Sequence, residues 1–419
     1  MAPRIILLAG EESGDNHGAR LVAALKSIAP EVELHGMGGA RMQAAGMTLI
    51  KNLDGMQIMG FWEVVKNFRF IKQVYREVES AIVALNPDLV CGIDYPGFNL
   101  RMEKRCKARG FTTAHYIAPQ VWAWKKGRAV TMAKYLDALI TIFPFETPFF
   151  APHGLPTHFV GHPLIEGYDR AALWQRSNAL ADSLGLPGAK WSSPDAVVDE
   201  LRAVRPLVLM PGSRAQVLQR HLGLFVAAAE QARQALGAGA DAMPILIVRA
   251  PSTVSIPMWS EVAGRVRFVD GSLPEAAFLG QAVLSSSGTA TLEAGLTGTP
   301  LAVAYVGGSI SAALAHMLVD IPIISLVNIV LGGYLVEEYI QGEAHRNALA
   351  EELRRLSQAG PDRRRIHEAL LRLPAKLGWD GTNAQTPSHR AAELLLELAQ
   401  RKVRSGVVVT AVGVQPKAL

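Results

Sequence analysis

Cysteine is scarce in this sequence. Its 419 residues include only Cys91 and Cys106, and their spacing is not that of a metal-binding pair. So few cysteines predict a reducing compartment, where structural disulfides are rare.

Long apolar runs and a large net charge are also missing. No run approaches the roughly 20 apolar residues that a membrane-spanning helix needs. The first ten residues carry a short apolar run that ends at Glu11 and Glu12, which is too short for a signal peptide. The formal net charge of +5 allows an anionic partner such as a nucleotide or a lipid headgroup. It is too small and too dispersed to predict binding to nucleic acid.

The chain is long enough for two domains, and apolar runs alternate with helical patterns along it. This alternation predicts two doubly wound α/β domains with parallel sheets. Strands are predicted at 5–9, 32–35, 89–93, 112–117, 139–143 and 158–160, then at 207–210, 245–248, 267–269, 282–284 and 301–304. The predicted divisions are an N-terminal domain at 1–186, a linker or insertion at 187–205, a second domain at 206–360, helices at 361–402 and a tail at 403–419.

The stretch 285–293 is predicted to form a strand, a turn of small residues and a helix N-terminus. Such a helix start presents free backbone N–H groups that suit a phosphate, and Gly288 would allow a close approach. Glu293 has Ala290 three residues before it, which cannot complete a capping box. Its carboxylate is therefore free to accept hydrogen bonds from ribose hydroxyls. An ordinary β–α turn with an exposed Glu is the alternative.

A second loop, 10–15, follows the first predicted strand. It fails the GxGxxG dinucleotide pattern because Glu12 occupies the position of the second Gly. Its carboxylates would repel a pyrophosphate, so we expect it to face hydroxyl groups or to be a structural turn. Asp15 is predicted to cap a helix over 17–28. The glycine-rich stretch 36–41 is predicted to be a loop, in which Arg41 meets an anion or solvent.

Two further strand ends carry candidate chemistry. Asp94 ends the strand 89–93, where a carboxylate can take a proton from a hydroxyl; capping a turn is the alternative role. The stretch 211–214 (PGSR) offers backbone donors, and Arg214 can grip a diphosphate with two parallel hydrogen bonds.

Two aromatic-rich segments have two interpretations each. Residues 56–78 combine many apolar side chains with cations at three- and four-residue spacing. This pattern is typical of a membrane interface or an acyl-chain groove, and also of an ordinary core helix. Residues 118–128 place two tryptophans beside three cations. This pattern is typical of a surface that binds a ring or an anionic headgroup, and also of core tryptophans beside solvated lysines.

Eight short motifs occur in an order that resembles one family, the lipid-A-disaccharide synthases. They are AGEESGD (9–15), GID (92–94), VWAW (121–124), FPFE (143–146), GH (161–162), PGSR (211–214), SGTA (287–290) and SLVN (325–328). The resemblance implies a GT-B architecture, in which two Rossmann-like domains flank a cleft and the second holds UDP. It implies metal-independent, inverting transfer of diacylglucosamine from UDP to the 6-hydroxyl of diacylglucosamine 1-phosphate, giving a β-1,6-linked disaccharide. No cofactor is expected.

The resemblance also implies roles for individual residues. Asp94 would be the general base, and Arg214 would neutralise the UDP leaving group. We expect the UDP-sugar to contact Gly212, Ser213, Arg214, Ser287, Gly288, Thr289, Glu293 and Asn328. We expect the acceptor to contact Ser13, Gly14, Asp15, Asn99 and Trp122, and the acyl chains or membrane to contact Met59, Phe61, Trp62 and Phe68.

Location and partners follow from the same resemblance. It predicts a cytoplasmic protein that is peripheral on the inner face of the inner membrane, with C-terminal helices that cross back to the first domain, and it allows a homodimer. Gly97 and Val327 depart from the usual family pattern, which often has Asp and Pro at these positions. The alternatives are a UDP-sugar epimerase of the same fold and a non-catalytic relative that binds lipid or UDP.

Overall fold

The computed structural model describes residues 2–53, 68–122, 127–196, 202–307, 323–382 and 384–404. Contacts divide the chain into two compact units. The first unit comprises Met1–Glu166 and Thr382–Leu419, and the second comprises Gly167–Gly381.

The strands of the described residues are all parallel to their neighbours. In chain order they are β1 (Arg4–Ala9), β2 (Glu33–Gly38), β3 (Thr48–Asn52), β4 (Leu89–Ile93), β5 (Thr113–Tyr116), β6 (Ala138–Thr141), β7 (Thr157–Phe159), β8 (Leu207–Met210), β9 (Ile245–Arg249), β10 (Arg267–Asp270), β11 (Ala282–Ser286), β12 (Leu301–Tyr305) and β13 (Glu338–Ile340). They form a seven-stranded sheet of order β3-β2-β1-β4-β5-β6-β7 and a six-stranded sheet of order β10-β9-β8-β11-β12-β13. The predicted fold class, two doubly wound parallel-sheet domains, is confirmed.

Helices connect these strands. In chain order they are α1 (Glu12–Ile28), α2 (Ala40–Ala44), α3 (Phe68–Leu85), α4 (Pro96–Ala108), α5 (Arg128–Met132), α6 (Glu146–Phe150), α7 (Arg170–Ser183), α8 (Ala215–Ala235), α9 (Leu273–Leu279), α10 (Ala290–Gly295), α11 (Leu326–Leu331), α12 (Arg346–Ser357), α13 (Pro361–Leu370), α14 (Leu373–Lys376) and α15 (Pro387–Arg404). None of the helices in the described part of the chain is long and apolar enough to cross a membrane.

Helix periodicity explains how the first unit forms its core. Val74, Val78 and Ile82 lie four residues apart on α3 and are buried against the sheet. They share one apolar cluster with Ile6 of β1 and Phe98 of α4. Fully burying side chains of this size contributes about 1.5–3 kcal/mol each. This cluster fixes α3 and α4 against the strands that carry the candidate site.

The last helix belongs to the first unit. Helix α15 packs against α1, and the backbone N–H of Ser388 donates to Glu166 Oε1 at 2.8 Å. Helices α12, α13 and α14 lie within the second unit. Of the helices predicted to cross back over 361–402, only α15 therefore joins the first unit.

The division between the units differs from the predicted boundary at residue 186. Helix α7 packs against α9 and so belongs to the second unit. The predicted linker is also anchored there, because Trp191 is buried with Leu173 and Phe278 and its indole N–H donates to the Phe278 carbonyl at 2.7 Å. Arg202 stacks on Trp191 at 3.4 Å from the ring centroid. Such packing makes the described part of 187–205 a structural segment of the second unit.

Two local predictions are corrected. Strand β2 extends through Gly38, so the glycine-rich stretch begins inside a strand and not in a loop. A Cβ on Gly36 would lie 1.8 Å from the Leu7 carbonyl oxygen, which is why glycine is required at this point of the sheet. Helix α1 begins at Glu12, so Asp15 lies in its first turn and does not cap it.

Candidate active site

Strand order brings two predicted loops of the first unit together. Strands β1 and β4 are neighbours. The strands after β1 are added on one side of this pair, and the strands after β4 are added on the other side. Ligands of doubly wound sheets bind at such a switch point, beyond the carboxyl ends of the strands. The residues that follow β1 are Gly10, Glu11 and the first turn of α1, and those that follow β4 begin with Asp94. A Cβ on Gly10 would meet the Tyr95 ring at 2.0 Å, so the two loops are in close contact.

The backbone at Asp94 has an unusual conformation. Asp94 and Tyr95 have φ angles of 48° and 49°, in the left-handed region that disfavours residues with a Cβ. Each such residue costs about 1–3 kcal/mol, and such residues cluster at functional sites. The N–H of Asp94 donates to the Tyr116 carbonyl at 2.9 Å, and Pro96 then starts α4. The turn thus holds the Asp94 backbone at the end of the sheet.

Burial and a neighbouring carboxylate change the acidity of Asp94. Burial raises the pKa of its carboxyl, and the negative charge of Glu11 raises this pKa further. A carboxylate with a raised pKa is a stronger base, which suits removal of a proton from a hydroxyl. Glu11 belongs to the stretch 10–15 that the sequence predicted to face hydroxyl groups, but it was not named among the site residues; it lies two residues after the end of β1. Its Oε1 accepts a hydrogen bond from the exposed Ser13 hydroxyl at 2.6 Å.

Three other predicted acceptor residues of this unit are buried. Gly14 packs at the ends of β1 and β4, where a Cβ would lie 3.3 Å from the Ala9 Cβ. Asp15 Oδ1 accepts from the N–H groups of Gly39 at 2.7 Å and Met42 at 3.1 Å, so its carboxylate caps α2. Asn99 is fully buried. These contacts indicate that the three residues determine the shape of the candidate site from the protein interior.

Asn99 holds the strand ends together. Its side-chain N–H₂ group lies 2.9 Å from the Leu8 carbonyl, 3.2 Å from that of Ile93 and 2.7 Å from that of Asp94. It therefore links β1 to the residue that carries the candidate base. This geometry supports an indirect role for Asn99 in acceptor binding, in which it fixes the position of Asp94.

Trp122 is buried in a polar and aromatic cluster of the first unit. Its indole N–H donates to Glu146 Oε1 at 3.3 Å, and its ring packs edge-on against Phe145. The other Glu146 oxygen accepts from the Phe143 N–H at 3.1 Å. Burial raises the pKa of Glu146 to about 8. The VWAW and FPFE motifs thus contact each other, while Trp124 lies outside the described residues.

The second unit repeats the switch-point arrangement. Strands β8 and β11 are neighbours, and the predicted diphosphate loops 211–214 and 287–289 follow them. Gly212 has a φ of 128°, and a Cβ there would lie 2.6 Å from Val217. Gly288 has a φ of 150°, and a Cβ there would meet no atom within 4 Å. The backbone at Gly288 is therefore open to a ligand.

Charged side chains flank these two loops. Arg214 precedes α8 and is exposed, as is Ser213. Glu293 lies in α10, one turn after Thr289, and is partly buried. Burial raises the pKa of its carboxyl, and Glu275 raises it further. The carboxyl edge of this sheet thus offers the Arg214 cation and the Glu293 carboxyl, which can accept hydrogen bonds from hydroxyl groups. Both flank the open backbone at Gly288.

A buried network supports the loop after β11. The Ser287 hydroxyl donates to the Ile324 carbonyl at 3.0 Å. Glu338 of β13 accepts from the N–H of Ile324 at 2.7 Å, from that of Ser325 at 3.0 Å and from the Asn328 side chain at 2.7 Å. Asn328 is fully buried and also bonds the backbone of residues 335 and 336. Glu338 was missed by the sequence analysis, since its partners lie 10–14 residues away along the chain.

The predicted acyl-chain surface lies mostly outside the described residues. This holds for Met59, Phe61 and Trp62, and for the side chain of Phe68 at the start of α3. The adjoining part of α3 is described, and it forms a groove with α4 of about 840 Å³. Five cations and three other residues line it: Lys72, Arg76, Arg101, Lys104, Arg105, Ile71, Tyr75 and Ala108.

The two sheets and their polar switch points define a class of protein. Similar solved structures include the crystal structure of CalG4, the calicheamicin glycosyltransferase, with a TM-score of 0.57 and 16% identity over 96% of this chain and 99% of that one. A putative UDP-N-acetylglucosamine 2-epimerase from Listeria monocytogenes has a TM-score of 0.57 and 13% identity over 97% and 98% of the two chains. At these identities the likeness shows the fold, which is that of the GT-B glycosyltransferases and related epimerases.

Sequence similarity then gives the family. Residues 5–373 match the family model described as lipid-A-disaccharide synthetase. The chain is 34% identical to the lipid-A-disaccharide synthase of Myxococcus xanthus over 94% of its length and 97% of that protein. It is 36% identical to that of Azotobacter vinelandii over 95% and 98% of the two chains. The chain belongs to the lipid-A-disaccharide synthase family, so the resemblance predicted from the eight ordered motifs is confirmed.

Proposed function

We propose that the protein transfers 2,3-diacylglucosamine from UDP to the 6-hydroxyl of 2,3-diacylglucosamine 1-phosphate. The products are the β-1,6-linked lipid A disaccharide 1-phosphate and UDP. Family membership over nearly the whole chain carries this proposal. The polar loops at the switch point of each sheet support it, because each unit offers chemistry that suits one substrate.

The first unit would activate the acceptor. Asp94 takes the proton of the acceptor hydroxyl, and the resulting oxygen attacks the anomeric carbon on the side opposite UDP. The raised pKa of Asp94 and its strained turn support this role. Ser13 and Glu11 would contact the sugar hydroxyls, while Gly14, Asp15, Asn99 and Trp122 would act through the shape of the site.

The second unit would hold the donor and stabilise its departure. Arg214 would pair with the diphosphate and neutralise the charge that develops on it. The backbone of Gly212 and Ser213, and of 287–289, would donate to the phosphate oxygens. Glu293 would accept from the ribose hydroxyls. Asn328 would support the Ser287 loop through Glu338.

The variant Asp94→Asn tests the proposed base. A positioned base contributes about 10²–10⁴-fold, so turnover should fall by that factor while the protein remains folded. UDP release and the mass of the lipid product measure turnover from UDP-diacylglucosamine and diacylglucosamine 1-phosphate. The matched control is Asp88→Asn at the other end of the same strand, where the carboxylate accepts from the Arg4 N–H at 2.8 Å. Near-normal turnover of Asp94→Asn would remove Asp94 as the base.

The lipid substrates imply contact with a membrane surface. We infer that the groove between α3 and α4 faces anionic headgroups, because Lys72, Arg76, Arg101 and Lys104 can each contribute about 1 kcal/mol of attraction near such a surface. The fifth cation, Arg105, pairs with Glu79 at 2.7 Å and contributes less. The protein would be peripheral on the inner face of the inner membrane. The acyl chains of its lipid substrates would lie along residues 56–75. A homodimer stays a prediction of the resemblance.

Vesicle sedimentation tests the membrane surface. Binding to vesicles with anionic lipid should weaken at least tenfold in Arg101→Glu plus Lys104→Glu, since two attractions become repulsions. Arg372→Glu plus Lys376→Glu in the second unit changes charge equally and should bind like the wild type. Equal loss in both double variants would mean that net charge, and not this groove, drives binding. Survival of binding in Phe61→Glu plus Trp62→Glu would contradict the placement of the acyl chains.

A further inference from the structure

A buried acid–base pair lies beside Gly92, two residues before Asp94. Glu103 of α4 and His115 of β5 are both fully buried. Glu103 Oε1 lies 2.7 Å from His115 Nδ1 and accepts from the Gly92 N–H at 3.1 Å. Neither residue was singled out from the sequence.

The pair is part of the contact that fixes α4 on the sheet. His115 is the register partner of Gly92 on the neighbouring strand. A Cβ on Gly92 would lie 2.3 Å from Glu103 Oε1 and 2.7 Å from the Asn99 Cβ. Glycine at position 92 therefore makes room for both side chains of α4. Asn99 and Glu103 lie four residues apart on one face of the helix. Together they bind the last two residues of β4 and Asp94, which follows it.

Stability alone is a weak reason for such a pair. Moving two charged groups out of water costs several kcal/mol each, and well-packed apolar residues in their place are often neutral or stabilising. Glu103 Oε2 is buried and has no hydrogen-bond partner among the residues that the structure describes, which adds to the cost. A role in the reaction accounts for the pair better than a role in folding.

The charges around Asp94 indicate what that role is. Burial alone would lower the pKa of His115, but the Glu103 carboxylate, its hydrogen bond and the Asp94 carboxylate together raise this pKa above its ordinary value. The Glu103 contact at 2.7 Å thus favours the protonated form of His115. The charged groups that act on Asp94 are Glu11, from the loop after β1, and His115, from β5; the N–H of Tyr95 also donates to it. Burial, the largest influence, and Glu11 favour the protonated form of Asp94, and the Tyr95 N–H and His115 favour the ionised form.

We propose that Glu103 and His115 are positioning residues of the transfer reaction: Glu103 favours the protonated form of His115, and the imidazolium favours the ionised form of the Asp94 carboxylate, against burial and Glu11. This inference rests on the proposed function, in which Asp94 is the base. The pair would extend the activity of the enzyme to lower pH.

The variant Glu103→Gln tests the proposal. Its amide oxygen can still accept from the Gly92 N–H, but the negative charge is gone, so burial leaves His115 neutral. Loss of the imidazolium raises the pKa of Asp94. The acidic limb of the kcat/KM profile, which reports ionisation of the free enzyme, should therefore move to higher pH. Turnover on the alkaline plateau should change much less than turnover below it.

A second variant separates charge from packing. Glu103→Met plus His115→Leu replaces the pair by apolar side chains of similar size, a change that is often neutral or stabilising, although the Gly92 N–H loses its acceptor. If the pair acts through charge, the acidic limb stays shifted in this double variant. If it only holds α4 in place, the profile returns to that of the wild type, and the proposal is wrong. The matched control is Glu352→Gln, which removes the charge of a buried carboxylate paired with the partly exposed Arg355 in the second unit and should leave the profile unchanged.

The outcomes distinguish the role of Asp94 as base from the positioning role of Glu103 and His115. Near-normal turnover of Asp94→Asn overturns the proposed base, and the positioning role with it. Loss of turnover in Asp94→Asn together with an unshifted profile in Glu103→Gln overturns the positioning role alone. A shift in both Glu103 variants, with turnover lost in Asp94→Asn, supports both.

Discussion

Asn328 provides a sharp test of how the second unit holds its ligand loop. The side chain makes four hydrogen bonds of 2.7–3.0 Å, to the Val336 carbonyl, to Glu338 and from the N–H groups of Leu335 and Val336. Each is worth about 1 kcal/mol net, so Asn328→Ala should weaken the local structure by about 4 kcal/mol. That corresponds to about 10³-fold faster opening of the segment.

Hydrogen–deuterium exchange followed by mass spectrometry measures this effect directly. The amides of residues 324, 325, 335 and 336 donate to Asn328 or Glu338 and should exchange up to about 10³-fold faster in the variant. Amides of the first unit should exchange as in the wild type. The KM for the UDP-sugar should rise as a consequence, because Ser287 loses a fixed partner at Ile324.

The control is Asn347→Ala, which removes one exposed hydrogen bond to Gln231 in the same unit. It should change neither exchange at 324–336 nor KM. A rise in KM for Asn328→Ala with unchanged exchange would show direct contact with the nucleotide and refute the supporting role.

Two further predictions concern the first unit. Burial, with help from Arg20, holds the pKa of His17 at about 4, below its value in the unfolded chain. The unfolded chain therefore binds an extra proton below pH 6.5, and acidification from pH 7 to 5 should cost the wild type up to about 2 kcal/mol at this residue. Urea unfolding at both pH values should show that His17→Leu loses this part of the dependence; an unchanged dependence would contradict it. A Cβ on the exposed Gly97 meets no atom within 4 Å, so Gly97→Asp should fold normally and gain about 0.5 kcal/mol from the helix N-terminus. Its turnover should match the wild type, and a large gain would show that a second carboxylate takes part.

Elements with strong local patterns were predictable from the sequence. The apolar runs of β1, β4 and β8 are buried on both faces, so continuous hydrophobicity identified them within a residue or so. Strands β3 and β13 lack such runs and were missed. Their pairing depends on neighbours that are distant in sequence, and Thr48–Asn52 is half exposed in any case.

The positions of candidate site residues were predictable where a reactive side chain follows a strand end. Asp94, Arg214 and Ser287 each follow the carboxyl end of a strand beside a switch point, as the sequence pattern indicated. The supporting residues were not predictable, because their partners are set by tertiary contacts. Asp15 caps a helix that begins 25 residues later, and Glu103 reaches a histidine on the next strand.

The return of α15 to the first unit has a consequence for synthesis on the ribosome. Its partners α1 and Glu166 emerge first, but residues 167–381 must be made before the helix itself appears. At about 5–20 residues per second this interval lasts roughly 10–40 s. During that time the apolar face of α1 has no native cover, so the nascent chain offers a binding surface to chaperones that the finished protein lacks.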